Sequence, residues 1–510
     1  MEIQPNTDIR LLHNVPLDTS YDHTIYFASA SDQYTYFAGL TKYTLSAQTY
    51  QRVNKGKARV AKLADDIYDC NYMMFRNTTF GTKWFYAFIT SIEYVNNETS
   101  EISYELDPMQ TWWFDFTVDD CFVEREHPVS DALFENLVPE NLELGDYEVI
   151  MSNAFDMNQQ GIAMMATKDY YLSPAHGDVY DNVFTPLHVG IALDVSAQSG
   201  NSLVDTYVQA GQEDAIVSMY QFPLKFGMAS VQYFDHSIGF QNNLGGYIPK
   251  NNKLFSYPYS LVVATNFNGE TAEYRWEQWD ADHIGEFQVA GTGMGEPCAF
   301  IYPKNYRGKG RDWDSGITYK GFPAIPFGGD AFKAFWAQNK TKLGVSTGLG
   351  IGGMLGVAGL IGLGIVTGPM AIAMGIGAIG AGVGAVGNLV GKITDAQRVP
   401  PQVHGSMTAD YLNAGMNKNY FDLQVVTIRA PFARVIDDYF TKYGYAVHRV
   451  KRPNMNSRPH WNFVKTVSAT ITGSIPADDM KKICSIFDNG ITFWKNGSEI
   501  GNYGLDNRPS

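Results

Sequence analysis

Ten histidines and 53 acidic side chains could supply general acids and bases, yet none of them stands at a spacing that catalysis requires. Asp235-His236 and Asp282-His283 put a carboxylate next to an imidazole, but a catalytic triad is assembled in space rather than between neighbours in sequence. The chain has no Gly-x-Ser-x-Gly nucleophile elbow and no His-Glu-x-x-His zinc helix. Gly291-Thr292-Gly293-Met294-Gly295 lacks the spacing of a phosphate-binding loop and reads as a flexible connection. The acid pairs Asp119-Asp120 and Asp437-Asp438 read as ordinary surface carboxylates, a weak basis for glycoside hydrolysis. Cys70, Cys121, Cys298 and Cys484 are too scattered for a zinc site or a redox pair, and the expectation is four buried, reduced thiols. An enzyme is therefore not expected, nor a cofactor or a metal.

Charge narrows the field further. A formal charge of -15 argues against a general nucleic-acid binder and against electrostatic docking on anionic lipid. The clusters Arg307-Lys309-Arg311 and Arg449-Lys451-Arg452 are short, and solvated loops or ion pairs between subunits explain them better than phosphate grips. An acidic protein can still surround DNA without gripping it. The first residues, Met1-Glu2-Ile3-Gln4-Pro5-Asn6, show no basic region followed by an apolar run, so a signal peptide is not expected and synthesis in the cytoplasm is.

One segment stands apart. Between Lys342 and Lys392 there is no ionisable side chain, and the run from Leu343 to Gly391 is almost entirely Gly, Ala, Val, Leu, Ile and Met. Gly368-Pro369 lies near its middle and signals a turn, dividing it into two arms. As helices, the arms would be roughly 33 to 38 Å long at about 1.5 Å per residue. Either could cross a hydrocarbon core of about 30 Å. Gly344, Gly348, Gly352 and Gly356 recur every fourth residue in the first arm, as Ala373, Gly377, Ala381 and Ala385 do in the second. Such ladders make smooth strips along which helices approach closely in lipid. Leu343, Leu360, Ile361, Leu363, Ile365, Val366, Met370, Ile372, Val390 and Gly391 complete the set expected to meet lipid. In water each mid-helix glycine costs about 1 kcal/mol, so a conditional structure fits better than a permanent helix. Two other readings stay open: a glycine zipper buried inside a soluble oligomer, and a two-pass anchor. The anchor is disfavoured because a long polar and aromatic stretch precedes the run and neither flank carries a strong basic cluster.

The elements around this segment read as mainly β. With 31 Tyr, 30 Phe and 9 Trp among frequent turn formers, many short strands are expected. Trp84 to Ile89 is continuously apolar, as a strand buried on both faces would be. The turn Val95–Thr99 and the alternation from Glu101 to Leu106 make it half of a hairpin. Leu187 to Leu193 and Tyr257 to Ala264 are further strand candidates. At 321–329, Gly-Phe-Pro-Ala-Ile-Pro-Phe-Gly-Gly is expected to break regular structure. Asp330 then caps a short helix with Phe332, Phe335 and Trp336 on one face. The C-terminal part reads as α+β. Pro431 to Lys442 forms a helix stopped by Gly444 before a strand from Tyr445 to Val450. Trp461, Phe463, Val467, Ala469 and Ile471 line one strand face. A helix from Ala477 to Phe487 precedes an Asn489-Gly490 turn into Ile491–Trp494.

In order along the chain, several of these residues resemble a known family. They are Val15-Pro16-Leu17-Asp18, Tyr36-Phe37, Tyr50-Gln51-Arg52, Asn71-Tyr72-Met73, Trp84 to Ile89, Leu106-Asp107 and Gln110-Thr111-Trp112. Val123-Glu124-Arg125-Glu126-His127 with Asp131, Asn136 and Pro139-Glu140 looks especially typical, as do Tyr443-Gly444-Tyr445 and the ending Asn489 to Trp494. The chain resembles the tail knob, or distal tail tube, proteins of small podoviruses (picovirus type) infecting Gram-positive bacteria. The resemblance implies tail-tube-like β-barrel or sandwich domains forming a ring, with a long hydrophobic loop inserted in the last third. It divides the chain into β-rich regions at 1–150 and 151–330, a short helix and membrane-active loop at 331–399, and an α+β region at 400–510 that completes the tube. It further implies a homohexamer at the distal end of the virion tail, attached to a lower collar protein. Double-stranded DNA would pass through without specific binding. The loops would plug the tube and then enter the host cytoplasmic membrane during genome ejection. A tube whose loop only packs, and a tail-associated hydrolase of wall polymer, remain as alternatives.

Overall fold

The computed structural model describes residues 6–507 apart from 49–55, 80, 168–187, 193–205, 327–418 and short stretches between 208 and 323. The chain is mostly β, and it forms two units. One gathers Met1–Asp146, Gly246–Ser256 and Arg429–Ser510; the other gathers Tyr147–Gly245 and Tyr257–Ile428.

The first unit is built on a six-stranded antiparallel sheet ordered Thr41–Gln48, Thr7–His13, Cys70–Asn77, Phe85–Asn96, Thr99–Leu106, Lys57–Val60. The expected hairpin is present, with pairing from Ala87↔Leu106 out to Asn96↔Thr99. Its apolar run is covered on both sides. Tyr86 and Phe88 enter a core with Phe37, Tyr72 and Phe493, while Ala87 enters another with Leu11, Val60 and Ile102. After this strand pair, Asp107 caps the helix Pro108–Trp112 by accepting from the Gln110 N–H at 3.1 Å, with Pro108 in the first turn where no N–H is needed.

The same unit contains a five-stranded sheet that joins the two ends of the chain, ordered His23–Ile25, Ile491–Trp494, Trp461–Val467, Cys121–Glu126, Tyr445–Lys451. Residues 429–510 thus share one core with 1–146, a grouping that position along the chain does not convey. The helix Ala430–Tyr443 has Pro431 in its first turn and stops at Gly444, as its signals require. Gly444 has φ +62, and a Cβ there would lie 2.3 Å from the Glu126 carbonyl oxygen. Both strain and collision oppose any side chain. Gly444→Ala is expected to lower stability by roughly 2–3 kcal/mol, read as a lower urea midpoint at unchanged slope. An unchanged midpoint would mean that the backbone there relaxes freely.

The helix Ala477–Asn489, the left-handed Gly490 and the strand Ile491–Trp494 also follow the expected plan. The strand before them does not run as far as its apolar pattern suggested. It ends at Val467, Ser468 turns with φ 56, and Ile471 belongs to a separate two-stranded ribbon with Phe116–Val118. Asp488 accepts the Ala469 N–H at 2.9 Å and holds the break. Within the strand, Trp461, Asn462, Phe463 and Val464 are all buried, so both faces are covered rather than one.

Among its described residues the second unit has three four-stranded antiparallel sheets. Tyr147–Asp156, Tyr420–Ile428, Ser260–Thr265 and Thr271–Tyr274 form one; Gln232–Ser237, Glu286–Thr292, Cys298–Pro303 and Ile317–Tyr319 form another. The remaining sheet is ordered His188–Ala192, Gln160–Ala166, Ile216–Pro223, Ala324–Pro326. Its last strand corrects an expectation. The Pro-rich stretch does not abolish regular structure, because Ala324–Pro326 pairs with Ser218–Tyr220 at the sheet edge. An edge strand has one side free of ladder bonds, which is where proline is tolerated.

Candidate functional site

Every residue singled out as membrane-active, from Leu343 to Gly391, lies outside the described residues, as does the helix expected after Asp330. The described residues on either side of 327–418 belong to the second unit. On the leading side they end with the edge strand Ala324–Pro326. On the returning side Asn419 is wholly buried at the head of the strand Tyr420–Ile428. Its N–H donates to Asn158 Oδ1 at 2.8 Å, its Oδ1 accepts from the Tyr319 hydroxyl at 2.6 Å, and its carbonyl accepts from the Met157 N–H at 2.8 Å. Side-chain and main-chain bonds together fix the start of this strand. Among the described residues no helix is long and apolar enough to cross a membrane.

Sequence reasoning passed over a second feature, in the first unit. The strand Cys121–Glu126 turns Arg125 and Glu126 inward, and His127 follows them; all three are buried. The loop beyond the strand brings in Glu140, whose two oxygens meet Arg125 Nη1 on one side and Lys253 Nζ, at 2.7 Å, on the other. Glu140 Oε1 also accepts from the Ala446 N–H at 2.8 Å, and Arg125 Nη2 donates to the Gly444 carbonyl at 2.7 Å. Burial would raise the Glu140 carboxyl, but Lys253 and Arg125 outweigh it and hold the group below the usual carboxylate range. The charged cluster thereby ties four distant pieces of chain together: the 121–126 strand, the 138–140 loop, the 250–253 segment and the turn at 444–446.

His127 sits beside this cluster. Its Nδ1 accepts from the Phe463 N–H at 2.7 Å, which leaves Nε2 to carry the proton and donate to the Thr441 carbonyl at 3.1 Å. Burial, then the positive Arg458, push its pKa down to about 3. The ring is therefore a neutral structural bridge between strand and helix. Asp437 closes the cluster, and it corrects the reading of Asp437-Asp438 as a surface pair. It is buried and accepts from the Tyr247 hydroxyl at 2.6 Å, the Lys250 and Asn251 N–H groups at 2.8 and 3.0 Å, and Asn251 Nδ2 at 2.8 Å. Asp131 accepts from Tyr445 at 2.5 Å and from the Asn252 N–H at 3.1 Å. Such an arrangement holds chain segments together; with every oxygen engaged by protein donors, it offers no acid or base to a substrate. The legible signal was Glu124-Arg125-Glu126-His127, a run of charge inside an otherwise strand-like stretch.

The other chemistry-bearing residues are dispersed. His236 Nε2 faces the Asn153 carbonyl at 3.2 Å, burial lowers its pKa, and Asp235 pairs with Lys304 at 3.1 Å. Arg307 pairs with Asp280, and Lys451 with Glu126, so these members of the two basic clusters are engaged within the chain. All four cysteines are free thiols; Cys70 and Cys121 are buried as expected, whereas Cys298 and Cys484 are only half-buried.

Comparison with known proteins places this architecture. Residues 227–508 match the family model of the Bacillus phage phi29 tail knob protein gp9, C-terminal domain, and residues 5–117 match that of the caudoviral major tail protein N-terminus. Tail knob protein gp9 of Bacillus phage PZA is 27% identical, and that of Bacillus phage phi29 26% identical, each alignment covering 98% of both chains. The solved structure of the bacteriophage C1 tail knob protein, gp12, superposes with a TM-score of 0.58 at 14% identity, covering 97% of this chain and 98% of that one. The mostly β chain is thus a phage tail protein in fold. It belongs to the tail knob family, whose members are structural components of the virion tail.

Proposed function

We propose that the protein forms a homohexameric distal tail tube that conducts double-stranded DNA, closed before infection by residues 343–391, which leave it and enter the host cytoplasmic membrane during ejection. At its other end the tube meets a lower collar protein. The observation that carries this reading is the absence of any ionisable side chain between Lys342 and Lys392. A plug of such composition is stable by apolar contact, and once exposed it strands apolar area at about 25 cal/mol per Å². Lipid removes that penalty, so insertion follows opening. The formal charge of -15 supports passage of DNA without adhesion, since carboxylates near a lumen repel phosphate.

The glycine ladders equally suit close helix contacts inside protein, which is the competing reading of a plug that never meets lipid. Dye release from liposomes separates the two. The full chain is expected to empty vesicles under at least one pH between 5 and 8, and a chain lacking Gly344 to Val390 is expected to release nothing above background while eluting as the same oligomer. No release by the full chain at any pH would leave packing as the segment's role. Loss of the oligomer on deletion would point the same way.

A further inference from the structure

The five-stranded sheet of the first unit has a helix on each face, and one of the two covers its face only in part. The helix Ala477–Asn489 shares a core with Val464 and Ile491 on one side. The helix Ala430–Tyr443 lies on the other, where the Thr441 carbonyl accepts from Trp461 Nε1 at 3.1 Å and the Tyr443 ring meets that of Phe463 at 5.2 Å. Trp461, Phe463, Lys465 and Val467 alternate along that second face. Past the ion pair of Lys465 with Glu124, at 2.9 Å, the face is open.

There three apolar side chains stand in register across neighbouring strands. Phe122 is directly opposite Val450 on one side and Val467 on the other. They are 39%, 69% and 48% exposed, and His448 stacks on Phe122 at 6.2 Å. A single surface valine is ordinary, but three large apolar groups in one row form a contiguous patch of the kind that marks an interface. The strand Tyr445–Lys451 is the edge of the sheet, yet its register shifts between Ala446 and Arg449, and His448 takes φ 46. A bulged edge is a poor template for an added strand, so a partner docks on the face.

The charges around the row select the partner. Arg449 and Arg452 are exposed and enter no ion pair among the described residues, whereas Lys451 between them is held by Glu126. Asp120, just before the Phe122 strand, is exposed as well, so the rim carries both signs and can meet its own like. Two copies of a chain with formal charge -15 repel one another, and association needs cations at the contact. Arginines without a carboxylate of their own, beside an apolar row, supply them. We infer that Phe122, Val450 and Val467 form the centre of a contact with a second copy of this chain, whose carboxylates meet Arg449 and Arg452. The inference rests on the homohexamer proposed above and names one of its surfaces. Three side chains expose far less than the roughly 800 Å² per partner of a stable contact, so the polar residues around them complete it.

Sedimentation of the full chain tests it. The parent is expected to run as an oligomer, and Val450→Glu with Val467→Glu to raise its dissociation constant at least a hundredfold at an unchanged circular dichroism spectrum. Arg449→Glu with Arg452→Glu is expected to raise it about tenfold and to remove most of its dependence on salt. A photoreactive benzoylphenylalanine in place of Val467 is expected to yield covalent dimers on irradiation. An oligomer that survives the double glutamate variant would overturn the assignment while leaving the homohexamer in place. Photoproducts confined to single chains would do the same, since another part of the same chain would then cover the row. A parent that sediments as a monomer at every concentration would remove both the homohexamer and this surface.

Discussion

Glu140→Gln is expected to destabilise the protein by about 3–5 kcal/mol at pH 7, the scale observed when one partner of a buried ion pair is removed. Glu140 is nearly inaccessible, as is Lys253, and Arg125 is little more exposed. Neutralising the shared carboxylate leaves two cations facing each other in a poorly solvated space. The loss does not measure what the cluster adds to stability. Replacing all three charges by apolar residues of similar volume, Arg125→Met, Glu140→Leu and Lys253→Met together, is expected to restore most of it, because desolvation offsets much of the attraction in such clusters. Urea unfolding of the single and triple variants checks both statements. A single variant within about 1 kcal/mol of the parent would mean that water reaches the cluster and screens it.

Acid is expected to unfold the protein partly through His127. Its folded pKa of about 3 lies below the ordinary imidazole value, so between roughly pH 6.5 and pH 3 the unfolded chain takes a proton that the folded chain refuses. The stabilising contribution is complete above the unfolded value and is lost as pH falls toward the folded one, to a total of roughly 5 kcal/mol at about 1.4 kcal/mol per unit. Asp107 acts in the opposite sense. Burial, against its bonds from Gln110 and Tyr72, raises its pKa to about 6, so its contribution is present at low pH and is lost as pH rises from about 4 through about 6. The two partly cancel near pH 5, which is why a variant is needed to see either. His127→Asn retains an acceptor for the Phe463 N–H and removes the titration. Its stability is expected to lie below the parent at pH 7 but to fall less steeply from pH 6.5 down, by about one proton's worth of slope. Equal slopes in the two proteins would show that His127 is not the group resisting protonation.

Much of the local structure was legible because it rests on local rules. The continuous apolar run around Tyr86 announced a strand covered on both sides, Pro431 and Gly444 announced a helix with its start and stop, and Asn489-Gly490 announced the turn before the last strand. The rules failed where pairing overrode propensity. Ala324–Pro326 became an edge strand despite its proline, and the apolar alternation through Ile471 was cut at Ser468 because Asp488, from a helix further along, captures the backbone of Ala469.

By itself the sequence determined that the chain is rich in strands and carries no spaced catalytic or metal-binding motif. It also determined that one long segment lacks charge altogether, since composition and short-range spacing are complete in the linear text. Only the tertiary structure decided that the two ends of the chain share a sheet, and that Arg125, Glu140 and Lys253 neutralise one another in the interior. It alone decided that Asn419 pins the chain where the strand Tyr420–Ile428 begins. The physical reason is that a buried charge is tolerable only with a partner at hydrogen-bond distance. Which residue stands at that distance depends on how strands far apart in sequence come to lie side by side.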